Sequence, residues 1–211
     1  MAGQIVLTAS SSGTVTLVPA NTGNAFVVTL PAETGNIITT GSTGKTIPRA
    51  ALPAGSVLQV AQAVKTDTFS TSGFTMVDIT GLSVTLTPTS ATSKFLVMTR
   101  VFASSNFWAT YVNLVRNSTT IFTGDAAGSR PTPTSFFALN VDQSNSDGFM
   151  HLHSFSYLDS PGTGSAVTYK LQGSGRAPSY IMYVNRSVPD RNTTEYDSRL
   201  ASSLIVMEIA A

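Results

Sequence analysis

Apolar and polar positions alternate with a period near two along most of the chain, and Gly, Pro, Ser and Thr recur too densely for helix. From Ser56 onward the alternation predicts about eight to ten short strands joined by turns, the pattern of an all-β sandwich or jelly roll. The segments are "SVLQVAQAV", "FTMVDI", "LSVTLTP", "SKFLVMTRVFA", "FWATYVNLVR", "TTIFT", "FMHLHSFSYL", "AVTYKLQ", "YIMYVNR" and "SLIVMEIAA". Thr80-Gly81, between the second and third, reads as a turn. The longest irregular stretches are 124–135 and 187–199.

Two strands break the alternation by being apolar on both faces. In "SKFLVMTRVFA", Phe95, Val97 and Val101 share one face and Leu96, Met98 and Phe102 the other, which predicts a central strand covered on both sides. In the final strand Ile205, Met207 and Ile209 point one way and Leu204, Val206 and Glu208 the other. One set fills the sandwich interior, and the other needs a second cover, most simply a neighbouring subunit. Glu208 then needs a partner, because an unpaired buried carboxylate is costly. Arg100, on the other two-sided strand, is one candidate; a solvent-facing position at a sheet edge is the alternative.

Residues 1–40 read differently. "QIVLT", "GTVTL", "AFVVTL" and "NIITT" are short strand-like repeats separated by turn chemistry, which suggests a small solenoid or prism. A module of that size buries too little to stand alone, so strands from other subunits are expected to complete it. Residues 41–55, "GSTGKTIPRAALPAG", form a linker, and 56–211 form the main domain.

Composition narrows the function. Charged residues are 11% of the chain, against about 25% in ordinary soluble domains, and the net charge is +1. With no Lys/Arg cluster, neither nucleic acid nor an anionic membrane is an expected partner. Cysteine is absent, which excludes disulfides and thiol chemistry. The apolar runs are far too short for a membrane-spanning helix, and no leader-like segment opens the sequence.

Little points to catalysis. The eleven acids are scattered and several read as turn residues, among them Asp125, Asp147, Asp159 and Asp190, whereas glycoside hydrolysis needs two carboxylates about 5–10 Å apart. "GSTGK" lacks the full phosphate-loop pattern. His151 and His153 share a strand face at i and i+2, where a metal site competes with a packed or hydrogen-bonded pair. We expect no enzyme activity, no metal and no cofactor, with these two histidines as the candidate ligands if an ion is held.

Taken in order, "LPAGSVLQV", "TPTSATSKFLVM", "SYLDSPGTGSAVTYKLQ", "VNRS" and "SLIVMEIAA" resemble the C-terminal head of phage fibre proteins, closest to those of marine phages and cyanophages. The likeness covers about residues 50–211 and, loosely, 13–41 through "LPAETG". It implies a homotrimer whose jelly-roll heads are related to tumour-necrosis-factor and complement C1q heads, with the last strand near the threefold axis. The interface residues it suggests are Leu204, Val206, Glu208 and Arg100. It also implies a virion protein made in the host cytoplasm, held to other tail or capsid proteins through residues 1–40, that adheres as a tail fibre to a host-surface glycan or protein. This chain lacks a long shaft, so a capsid decoration or head-fibre protein is the alternative; a depolymerase and a secreted C1q-like ligand are further ones. Aromatic and planar polar residues in or near loops mark the expected receptor contacts: Asn106, Trp108, Arg130, Tyr183, Asp190, Arg191, Asn192, Tyr196 and Arg199. Core packing is the competing reading for Trp108, and a solvated loop for 187–199.

Overall fold

In a computed structural model of the chain, residues 52–107, 109–138 and 149–211 are described in full, together with the backbone of Ile5–Thr8 and Thr14–Leu17. The chain divides into two compact units, Met1–Lys45 and Thr46–Ala211. In the first, β1 (Ile5–Thr8) pairs antiparallel with β2 (Thr14–Leu17), matching the first two sequence repeats. The other two repeats and most of the 41–55 linker lie outside the described residues.

The second unit is built from β3 (Val57–Lys65), β4 (Phe69–Ser72), β5 (Val77–Leu86), β6 (Lys94–Ser105), β7 (Ala109–Arg116), β8 (Thr119–Ile121), β9 (Ser135–Ala138), β10 (His151–Asp159), β11 (Val167–Ser174), β12 (Ile181–Val184) and β13 (Ser202–Ile209). No helix occurs among the described residues. One antiparallel sheet runs β3-β13-β6-β10, with β12 and β4 continuing past the end of β13; the other runs β5-β11-β7, with β8 and β9 sharing the far edge of β7. Leaving out the short β4, β8 and β12, successive strands fall alternately in the two sheets except for β7 and β9, which share one. That is the strand order of a jelly roll.

The inward residues of both sheets form one core. Phe95, Val97 and Val101 of β6 and Leu204 and Val206 of β13 meet Leu82 of β5, Val112 and Leu114 of β7, and Tyr169 and Leu171 of β11, all fully buried. The Phe95 and Tyr169 rings tilt at 48° with centroids 5.7 Å apart across the gap.

Glu208 shares that inward face and is 0% exposed. The interface expected of Leu204, Val206 and Glu208 is therefore replaced by the chain's own interior. Nor does Arg100 neutralise Glu208: Arg100 points outward, opposite Ser203, whereas Glu208 stands opposite Phe95. The carboxylate instead accepts Thr89 N–H at 2.6 Å, Thr89 Oγ1 at 3.0 Å and Gln59 Nε2 at 2.5 Å. Burial alone would raise its pKa; the Ser93 hydroxyl beside it and these donors outweigh burial and hold it below the ordinary value.

Two other sequence expectations change. Thr80-Gly81 is not a turn, because β5 runs through it and both halves pair with β11. Gly81 has φ +86°, and the facing register slips between Lys170 and Gln172, so the residue is a bulge that bends one strand. Asp159 is no simple turn residue: it ends β10 inside the sandwich, where Arg116 Nη1 lies 2.8 and 2.9 Å from its two oxygens and Tyr169 OH donates at 2.6 Å.

Candidate functional site

Three surfaces of the second unit carry chemistry beyond folding. The first is the outer face of the β3-β13-β6-β10 sheet. Because β13 alternates, Ile205, Met207 and Ile209 face out here. The pairing places Val60, Met207, Leu96 and Leu158 in one cross-sheet row. The next row is Gln62, Ile205, Met98 and Ser156, and beyond it Phe102 stands beside Leu152. Val60, Leu152 and Leu158 are about half exposed. Arg100, the charged residue expected at the interface, does lie on this face, its guanidinium 5.3 Å from the Phe102 ring.

The second surface is the 187–199 loop, which brings together Asp190, Arg191, Asn192, Tyr196 and Arg199, five of the residues expected to meet a receptor. Most of their polar groups face one another. Arg199 grips Asp190 in a bidentate pair, both bonds 2.6 Å, while Arg191 Nε donates to Asp197 at 2.7 Å and the Arg191 guanidinium carbon lies 5.8 Å from the Tyr196 ring centroid. Asp197 also takes a short hydrogen bond from Ser187. The arginine partners hold both carboxyls below the usual range. Arg186 links this cluster to Tyr183, its guanidinium 4.4 Å from the ring and 3.6 Å from Asp190. Arg191, Asn192, Tyr196 and Arg199 are exposed, and Asp190 is half-buried.

The remaining expected contacts stand apart. Asn106 is a tie between loops: it accepts Ile181 N–H at 2.6 Å and donates to Ser179 O at 3.1 Å. Arg130 folds back on its own turn, donating to Ala127 O at 3.3 Å. Trp108 lies outside the described residues.

The third surface was not foreseen. A cleft of about 370 Å³ opens on the outer face of the second sheet. Tyr111 and Asn113 of β7 form its floor, with Phe74 and the Pro131–Pro133 segment among its walls. The Tyr111 ring packs against Phe136 of the paired strand, centroids 5.2 Å apart and planes tilted by 33°. Thr134 pins the proline segment in place: its hydroxyl donates to Ile121 O and accepts Leu114 N–H, and its N–H reaches Asn113 Oδ1. Gly175 borders the cleft where a Cβ would run into the Tyr180 carbonyl, so no larger residue fits that close approach. The lining comes from five separated segments, and no local sequence signal joins them.

The two histidines both face inward. His153 is held by two hydroxyls, Thr110 Oγ1 at 2.8 Å from Nε2 and Ser135 Oγ at 2.9 Å from Nδ1. Burial, with His151 close by, lowers its pKa to about 4. His151 stacks on Phe137, ring centroids 3.6 Å apart, and burial lowers its pKa as well. Both nitrogens of His153 are thus already engaged.

The fold and these surfaces define an all-β protein with a jelly-roll sandwich. No protein-family model matches the chain, and comparison with curated proteins gives no match. Among solved structures the chain is similar to the VP2 subviral particle of infectious bursal disease virus, at 16% identity and a TM-score of 0.35. That match covers 72% of this chain and 32% of the other.

Proposed function

We propose that this chain is the head of a homotrimeric phage fibre that adheres to a host-surface glycan without catalysis, with residues 1–40 attaching it to other virion proteins. One observation carries the reading: the apolar outer face of the β3-β13-β6-β10 sheet. Both faces of β6 and β13 are apolar, and the described residues cover only one. Burying such a face gains about 25 cal/mol per Å² of apolar area removed from water, which drives association. A second and third copy of the same chain supply that cover. Three copies also turn individually weak receptor contacts into avid attachment.

Light scattering of the purified protein tests the assembly. A dilution-resistant mass near three times 22.1 kDa supports the trimeric head. A monomer overturns it and leaves a capsid decoration protein as the better reading. Release of reducing sugar from host polysaccharide would overturn the non-catalytic part.

A further inference from the structure

We infer that the cleft on the outer face of the second sheet binds an uncharged sugar ring, stacked on Tyr111 and Phe74 and hydrogen-bonded by Asn113 and the threonines around it. The inference rests on the fibre-head reading for where the sugar comes from, the host surface, but its chemistry is argued from the cleft alone.

Four features lead to this ligand class. The first is charge: every lining residue is uncharged, and neither arginine next to the lining in sequence, Arg130 or Arg176, is part of it, Arg130 being turned back onto Ala127 O. A uronate or sialate carboxylate would be desolvated there with no cation in the lining to meet it. The second is the aromatic surface. Phe74 is 69% exposed, an unusual state for a large apolar side chain, and Tyr111 is locked in place against Phe136. The negative faces of such rings attract the polarised C–H bonds along one side of a pyranose.

The third is unused hydrogen-bonding capacity. The hydroxyls of Thr120, Thr123 and Thr132 bond to none of the described residues, and each both donates and accepts. Asn113 spends only its Oδ1, on Thr134 N–H, which orients the amide and leaves its Nδ2 for a ligand. Neutral groups of this kind match sugar hydroxyls one for one. The fourth is size and access. The cleft lies within the range of about 300–1,000 Å³ typical of small-molecule sites, room for about one or two sugar rings. It opens on the opposite side of the sandwich from the apolar face proposed to be buried between copies, so assembly leaves it open.

The 187–199 loop is the competing location. Its carboxylates and guanidinium groups are largely paired with one another, so a ligand there would have to break those pairs first.

The test titrates the full-length protein with neutral monosaccharides (glucose, galactose, mannose, rhamnose, N-acetylglucosamine), and with glucuronate and sialate, by saturation-transfer NMR and calorimetry. In parallel, adhesion to host cells is scored. Phe74→Ala removes the stacking wall from an exposed loop, and Thr120→Lys fills the cleft from an exposed strand position; Asn192→Ala probes the other loop. The expected result is saturable binding of at least one neutral sugar, weaker by about tenfold or more in Phe74→Ala and Thr120→Lys and unchanged in Asn192→Ala. Preference for the charged sugars, or loss only in Asn192→Ala, overturns the inference. If wild type adheres to cells and both cleft variants adhere equally, the cleft inference falls and the fibre-head reading stands. If a sugar binds in the cleft but the protein is monomeric and does not adhere, the fibre-head reading falls and the cleft stands. If no sugar binds, the cleft inference falls outright.

Discussion

His153 is a neutral imidazole packed between two hydroxyls, and that state has a pH signature. Its ordinary pKa of 6.5 falls to about 4 in the fold, so the folded protein prefers it unprotonated. The stability it confers is complete above about pH 6.5 and is lost as pH falls toward about 4, amounting to about 3 kcal/mol. Glu208 acts in a lower window. Its folded pKa lies below 4.5, so its contribution is present above 4.5 and is lost as pH drops through the folded value. Thermal melts followed from about pH 7 to about pH 3 should therefore show two successive losses. His153→Gln should shrink the first, which the buried His151 shares, and Glu208→Gln should shrink the second, which the paired Asp190 and Asp197 share; losses insensitive to both variants would contradict these assignments. At neutral pH, Glu208→Ala strands the Thr89 and Gln59 donors and should cost about 2–3 kcal/mol in urea titration. Asp159→Ala leaves the Tyr169 hydroxyl and Arg116 without their anion, and a loss of about 3 kcal/mol is expected by the same measurement.

At the level of elements, β6 was the most legible strand. Its two apolar faces follow directly from the alternation of Phe95, Leu96, Val97 and Met98, and the structure places them on the two sides of one sheet. The terminal strand was legible as a two-sided strand but not as to which side faces in. Alternation cannot rank two apolar faces, and the charge on Glu208 argued for an outer partner. The donors that let it sit inside come from Gln59 and Thr89, well over a hundred residues earlier, which no local pattern reveals. Gly81 misled for a related reason: a positive φ serves a bulge as well as a turn, and only the pairing partner decides. β4 went unread because FSTS carries a single large apolar residue, and β9 because it follows a proline-rich stretch. The candidate sites divided similarly. The 187–199 cluster was found because its members are close in sequence; the cleft was missed because Phe74, Tyr111, Pro131 and Ser174 meet only after folding. The orientation of β13 yields a sharp test of assembly. Ile205→Glu or Met207→Glu places a charge on the outer face and should leave the melting temperature of the subunit fold nearly unchanged while lowering the native mass to a monomer. Leu204→Ala, by contrast, opens a cavity in the core and should cost about 2–5 kcal/mol. If the outer-face variants keep the wild-type mass, the sheet face is not what holds copies together.

For the molecule as a whole, charge is sparse and nearly balanced, so neither association nor adhesion should rely on long-range attraction. Raising salt from about 0.05 to 0.5 M, which shortens screening from above 10 Å to below 5 Å, should leave native mass and sugar affinity within about twofold. A steep fall in either would point to ion pairs, and the 187–199 loop would then become the better candidate for recognition.

The position of β13 also bears on how the molecule comes to exist. Of the strands in the second unit, β3 is made first, yet its ladder partner is β13, roughly 140 residues later. At about 5–20 residues per second a ribosome needs roughly 7–28 s to cover that distance. Throughout that interval Val57, Val60 and Val64 have no ladder partner to align them, and the first sheet has a slot where its central strand belongs. The newborn chain is therefore expected to need holding factors, and its yield in the cell should track chaperone supply more closely than the stability of the finished fold.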